Sequence, residues 1–346
     1  MTLGPLMIDL EGTVLQPEER ELLAHPSVGS VILFARNYAE PEQLTRLVAD
    51  IHAVRSPALI VGVDHEGGRV QRFRAGFSKL PPLRRIGHEH DADPQAGAAL
   101  ARELGWLMAA ELRAHGVDLS FAPCVDLDYG VSEVIGDRAL HADPAVVAAL
   151  AVAYQAGMRS AGMAATAKHF PGHGAVVADS HHALPVDRRR LVDLDADIAP
   201  YRLLIANGLA GVMVAHVLYP EVDAVPASAS ARWIRGILRD ELRFQGVVFA
   251  DDLSMVGAAA VGGIVERAER ALAAGCDVLP VCNHRPSAIA VIEGLKAAPD
   301  PVAALRRVRL RGRLQQDIEA LHASERWRMA QQALERCSAP PDLRLA

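Results

Sequence analysis

A single-domain (β/α)8 TIM barrel of the α/β class is the fold this sequence predicts, on three observations. Eight short apolar runs recur along the chain, each is followed by a longer segment of helical period, and no linker-like stretch divides them. Most of the runs are apolar on both faces, which marks a parallel sheet covered by helices rather than one with a wet face. A doubly wound open sheet is the alternative reading.

The strands are expected in order at PLMIDL (5–10), SVILFA (30–35), ALIVGVD (58–64), VDLSFAPCVDL (117–127), MAATAKHF (163–170), GVMVAHVL (211–218), GVVFAD (246–251) and CDVLPVC (276–282). Helical segments are expected at 94–115, 144–161, 191–207, 229–243 and 263–274. Pro94 and Pro144 sit in first turns, where no N–H is needed, and Gly116, Gly162, Gly208 and Gly275 stand where helices should stop. The domain is drawn over residues 1–328. The remainder, 329–346, ending CSAPPDLRLA, is expected to be a loosely ordered tail without an assigned function.

Composition narrows the function classes. Hydrophobic residues make up 51% of the 346, enough for a large core, and the net charge of −6 argues against a general attraction to nucleic acid or an anionic membrane. The one basic run, Arg306, Arg307, Arg309, Arg311 and Arg313, lacks interleaved aromatics and reads as a solvated helix face. The four cysteines, Cys124, Cys276, Cys282 and Cys337, show no CxxC spacing and read as reduced, buried thiols. No basic residue precedes Arg20, so the start does not look like a signal peptide, and no apolar run approaches the ~18 residues of a membrane span. A cytoplasmic protein is expected, with no nucleic-acid or membrane partner.

Unusual residues collect where the strands end, which in such a barrel is where chemistry sits. Strand three runs into Asp64-His65-Glu66-Gly67-Gly68-Arg69 with Arg72 beyond, strand four into a long loop holding Gly136-Asp137-Arg138, strand five into Lys168-His169, and strand seven into Asp251-Asp252. One acid at a strand end is most simply a helix cap or an arginine's partner. Several such ends converging on one mouth point to a pocket for a small, highly polar ligand.

The densest signal is KHFPGHGAVVADSHHALP, residues 168–185, with His169, His173, His181, His182 and Asp179. A zinc or iron site is one reading, but the histidines lack the i, i+4 spacing of a metal-binding helix and the loop is rich in Gly. The other reading pairs Asp179 with His181 across Ser180, a carboxylate orienting an imidazole that gives a proton to a leaving group and later takes one from water. Opposite such a group, Asp251 could attack an electrophilic carbon, the division of labour that glycoside hydrolysis with retention requires.

These residues resemble glycoside hydrolase family three, and within it the bacterial β-N-acetylglucosaminidases of peptidoglycan recycling. The resemblance runs from LMIDLEG through VDHEGGRVQRF, VIGDRAL, KHFPGHG and DSH to ADDLSM and AGCDVLPVCN. It implies Asp251 as nucleophile, His181 as general acid/base with Asp179 as its partner, and Asp64, Arg72, Arg138, Lys168 and His169 as sugar-binding residues. It further implies release of non-reducing GlcNAc from GlcNAc-anhydroMurNAc muropeptides with no cofactor or metal, and a monomer is expected. The chain departs from the family pattern at Ala175-Val176, at Ala139-Leu140 and at Ala250. A broader β-glycosidase or a GlcNAc phosphorylase, a metal-dependent hydrolase and a sugar-sensing binder are the rival readings.

Overall fold

The computed structural model describes residues 2–177, 184–296, 298, 300–313 and 317–338. Asp179 and His181 therefore lie outside the described residues.

Eight parallel strands form the barrel: β1 Leu6–Asp9, β2 Val28–Leu33, β3 Ile60–Val63, β4 Leu119–Ser120, β5 Ala164–Phe170, β6 Gly211–Val214, β7 Val247–Ala250 and β8 Leu279–Val281. Neighbours in sequence are neighbours in the sheet, and β8 returns to pair with β1 through Leu6↔Leu279. The remaining seam closes between Phe249 and Val278, where the Ala250 N–H donates to the Val278 carbonyl at 3.0 Å. All four residues of β1, β3, β6 and β7 are buried, as strands covered by helices must be. The expected eight strands are found, and the open-sheet alternative falls with the closure.

Helices fill the connections: α1 Pro17–Ala24, α2 Pro41–His52, α3 Arg84–Ala92, α4 Pro94–Ala114, α5 Pro144–Ser160, α6 Asp195–Ala206, a helix at Arg232–Glu241, α7 Ile264–Ala274 and α8 Arg285–Gly294. Their ends follow from local chemistry. Asp93 caps α4 by accepting from the Gln95 and Ala96 N–H groups, with Pro94 as the first helical residue, while Gly275 ends α7 at φ 116°, a conformation costly for a residue with a Cβ. α4 and α5 approach so closely that a Cβ on Gly157 would lie 2.0 Å from the Arg102 carbonyl oxygen.

Three expectations need revision. The long strand at 117–127 pairs regularly only over β4, because Pro123 has no N–H for the ladder, and pairing resumes as a bridge between Cys124 and Lys168. The arginine run is not a uniformly solvated face. Arg307 is buried and donates to the Leu3 and Asp277 carbonyls at 3.0 and 2.8 Å, and Arg306 lies 3.3 Å from the Asp277 carboxylate, so α9, Pro301–Val308, seals the barrel's N-terminal end. Finally, helix α10, Glu325–Ser338, continues well into the segment expected to be a loose tail, burying Ala330, Leu334 and Cys337. Trp327 donates from Nε1 to Glu111 at 3.2 Å, which docks the helix on α4; residues 339–346 lie outside the described set. All four cysteines are free and buried, and among the described residues no helix is long and apolar enough to cross a membrane.

Candidate active site

Polar side chains follow the C-terminal ends of the strands, and the barrel brings them to one mouth. Lys168, on β5, is 2% exposed and places Nζ 2.7 Å from Asp64 Oδ1 and 2.6 Å from Glu66 Oε1. Glu66 in turn accepts two bonds from Arg138, at 2.9 and 2.8 Å, the two-pronged match of guanidinium to carboxylate. Arg72 stands 3.7 Å from Asp64, and its buried Nε has no hydrogen-bond partner among the described residues. An orphan donor of this kind is one a ligand's oxygen would satisfy.

The array is electrostatically self-consistent. Burial acts to raise the Glu66 pKa, but Arg138 and Lys168 outweigh it and hold the carboxyl far below its ordinary range. Asp64 is likewise held down by Lys168 and Arg72 against burial, and the two carboxylates keep Lys168 charged despite its complete enclosure.

Beside this array, β5 slips register between Ala167 and Phe170. A regular strand would send Lys168 and His169 to opposite faces; the irregularity lets both meet partners at the mouth. His169 Nδ1 is 2.7 Å from Asp126 Oδ2, and Asp126 also accepts from the backbone N–H of His169 at 3.2 Å and of His173 at 2.7 Å. Although burial would raise it, His169 leads in pulling the Asp126 carboxyl down to about 2. The carboxylate thus fixes the imidazole ring. Among the described residues, Cys124, Asp126 and His169 are the group whose side-chain donor atoms, all within 4.8 Å of one another, could hold a metal ion. The Cys124 thiol already donates to Asp126 at 3.2 Å, so Asp126 holds both of the others.

Asp251 and Asp252 follow β7 and are held differently. The Asp251 N–H donates to the Val214 carbonyl at 3.1 Å, and its Oδ1 accepts from the Asp252 N–H at 2.8 Å. Asp252 turns into the protein: its Oδ1 accepts from the Ser254 N–H and hydroxyl at 3.0 and 2.5 Å and from the Cys282 N–H at 3.0 Å. Burial raises its pKa to about 6, Ser254 and Cys282 oppose the rise, and the Asp251 charge adds to it. The thiol of Cys282 reports the convergence, because after burial the charges that raise its pKa are those of Asp252, Asp9, Asp64 and Asp251, drawn from β1, β3 and β7. A cavity of about 580 Å³ opens beside Asp252, lined also by Ser254, Arg267, Asn283 and His284. A second, of about 290 Å³, shares Asn283 and His284 and reaches Asp9, Arg36 and Arg285.

Of the residues singled out from the sequence, Asp64, Arg72, Arg138 and Lys168 are thus joined in one network through Asp64 and Glu66, His169 is held separately by Asp126, and Asp251 directly follows β7 at the same end of the barrel. Asp9, Glu66 and Asp126 were not singled out as site residues. The first ends an expected strand, PLMIDL, and strand-end position alone could have flagged it.

Comparison with known proteins gives the chain's family. Residues 7–309 match the family described as the glycosyl hydrolase family 3 N-terminal domain. A β-hexosaminidase of Thioalkalivibrio sulfidiphilus is 54% identical over 345 residues, covering 100% of this chain and 99% of that protein, and one of Thiobacillus denitrificans is 56% identical over 313 residues, covering 90% and 87%. The crystal structure of native NagZ from Neisseria gonorrhoeae superposes with a TM-score of 0.93 at 42% identity, covering 98% of this chain and 99% of that one. A motif set spread over the barrel's strand ends, a family match over residues 7–309 and a shared fold lead to one statement: this chain belongs to glycosyl hydrolase family 3.

Proposed function

We propose that the chain is a retaining exo-β-N-acetylglucosaminidase that removes non-reducing GlcNAc from β-1,4-linked muropeptides of the GlcNAc-anhydroMurNAc type, acting as a cytoplasmic monomer. What supports the reading is that Asp251 directly follows β7, at the barrel end where the polar strand ends gather, in a chain more than half identical over its whole length to a β-hexosaminidase.

In the first step an Asp251 oxygen bonds to the anomeric carbon as the glycosidic C–O bond breaks, and His181, oriented by Asp179, delivers a proton to the leaving oxygen. In the second, the same imidazole takes a proton from water as the water oxygen displaces the Asp251 carboxylate. His181 and Asp179 enter from the sequence motif and lie outside the described residues. Asp64 accepts from ring hydroxyls, while Lys168 and Arg72 donate. His169 carries its proton on Nδ1 toward Asp126, so Nε2 is left to accept from a sugar hydroxyl.

The test is hydrolysis of p-nitrophenyl β-GlcNAc against the β-glucoside, with EDTA present, by wild type, Asp251→Asn and His181→Ala. GlcNAc-selective turnover that survives EDTA and is lost in Asp251→Asn supports the reading, and an active Asp251→Asn variant refutes it. Formation of GlcNAc 1-phosphate on adding phosphate would make the enzyme a phosphorylase on the same scaffold. Release of GlcNAc from a GlcNAc-anhydroMurNAc peptide, followed by mass, tests the substrate itself.

A further inference from the structure

His216 stands just beyond β6 in the apolar run GVMVAHVL and is wholly buried. A buried imidazole is costly unless both nitrogens have partners, and here both do. Nδ1 lies 2.6 Å from the Ser228 hydroxyl and Nε2 lies 2.9 Å from the backbone carbonyl of Asp252. A carbonyl only accepts, so Nε2 bears the proton and Nδ1 accepts from Ser228. Burial drives the His216 pKa down, against the opposing pull of Asp251, which keeps this neutral tautomer.

The residue that His216 grips is the one whose N–H donates to Asp251 Oδ1 at 2.8 Å. The Asp252 carbonyl also accepts from Met255 N–H at 3.0 Å, and its carboxylate is tied to Ser254 and Cys282. Ser228 is itself anchored, its N–H donating to the Ala215 carbonyl at 3.2 Å. A directional chain therefore runs from Ser228 through His216 and Asp252 to an oxygen of Asp251. An aliphatic side chain would fill the same space without the cost of burying a polar ring, so its two bonds need a purpose beyond packing.

We propose that His216 is the positioning residue of the nucleophile, fixing through Asp252 the direction in which the Asp251 carboxylate faces the anomeric carbon. The inference rests on the reading of Asp251 as nucleophile. It predicts that replacing His216 slows formation of the glycosyl-enzyme without weakening substrate binding, since among the described residues the ring's hydrogen bonds go to Ser228 and to the backbone after β7 rather than to the residues proposed to grip the sugar.

The experiment compares wild type, His216→Leu, His216→Gln and Ser228→Ala with the 2,4-dinitrophenyl β-GlcNAc glycoside, and measures labelling by a 5-fluoro-GlcNAc fluoride, with the labelled peptide identified by mass. Misdirecting a reacting group by about 1 Å costs on the order of 100-fold, so His216→Leu should lose about that in kcat and in labelling rate with KM within about threefold. Gln can still donate to the Asp252 carbonyl and should recover about tenfold of the loss, and Ser228→Ala should lose about fivefold, the worth of one hydrogen bond. Labelling of Asp251 at equal rates in wild type and a folded His216→Leu would overturn the inference, as would a Gln variant as slow as Leu. If His216→Leu does not fold, a wild-type kcat in both Gln and Ser228→Ala overturns it. Wild-type label on a residue other than Asp251 would instead overturn the nucleophile assignment, a separate outcome.

Discussion

Replacing Asp252 by Asn should stabilise the protein at neutral pH, an unusual expectation for a residue beside the proposed nucleophile. All three hydrogen bonds recorded to the side chain, from the Ser254 N–H, the Ser254 hydroxyl and the Cys282 N–H, go to Oδ1, and Asn keeps an acceptor there. Burial raises the carboxyl from its ordinary 3.8 to about 6, with the Asp251 charge adding to the rise. The folded state thus binds a proton that the unfolded state releases, so stability is fullest below pH ~4 and is lost as pH rises through about 6. A rise of roughly two pH units corresponds to about 3 kcal/mol, which partial exposure to the adjoining cavity reduces to about 1–2 kcal/mol. Asn carries no charge at any pH. Thermal melts of both proteins at pH 7.5, 5.0 and 4.0 should show the variant ahead at pH 7.5, by about half as much at pH 5.0, and without advantage at pH 4.0. An Asn variant less stable than wild type by the same margin at all three would refute the electrostatic argument and make the carboxylate's geometry decisive.

Two other expectations follow from the geometry. Lys168→Met leaves Asp64 and Glu66 without the ammonium group that stands 2.7 and 2.6 Å from them, and although Arg138 still holds Glu66, urea unfolding should show a loss of about 3 kcal/mol; a loss below about 1 kcal/mol would show that the array tolerates the missing charge. Gly157→Ala places a methyl group 2.0 Å from the Arg102 carbonyl oxygen and 2.8 Å from the Trp106 nitrogen, so α4 and α5 must part, at about 2–3 kcal/mol, whereas Gly12→Ala meets nothing within 4 Å and should stay within about 0.5 kcal/mol of wild type by the same melts.

How much of this was legible in the sequence depends on how far apart the deciding residues lie. Strands, caps and stops are local: β-branched runs, Asp93 before Pro94, and Gly275 after α7 carry their own signals. The interruption at Pro123 was equally local, since a residue without an N–H inside VDLSFAPCVDL cannot continue a ladder, and reading that run as one strand overlooked it. The arginines of α9 could not be placed, because a helical run of charge looks the same whether it faces water or, like Arg307, reaches back 304 residues to the Leu3 carbonyl just before β1. The same holds for Glu66, whose partners Arg138 and Lys168 arrive only when β3, β5 and the loop after β4 meet.

The adjacent acids show the distinction most sharply. Asp251 and Asp252 are chemically alike, and apart from the family resemblance nothing in the residue types of FADDLSM says how each carboxylate is held. The fold separates them by what each oxygen accepts. Asp252 is bound into the Ser254 turn and to the Cys282 backbone, and, with no cation among the groups that set its pKa, burial lifts its carboxyl. Asp64, Glu66 and Asp126 face partners that hold their carboxyls down. A mouth ringed by ionised carboxylates would repel an attacking anion unless those charges were already met, and the Lys168, Arg138 and Arg72 contacts meet those of Asp64 and Glu66. On the proposed reading of Asp251 as nucleophile the array would serve two ends at once, because the groups that would grip hydroxyls would also cancel the charge that otherwise opposes the reacting carboxylate.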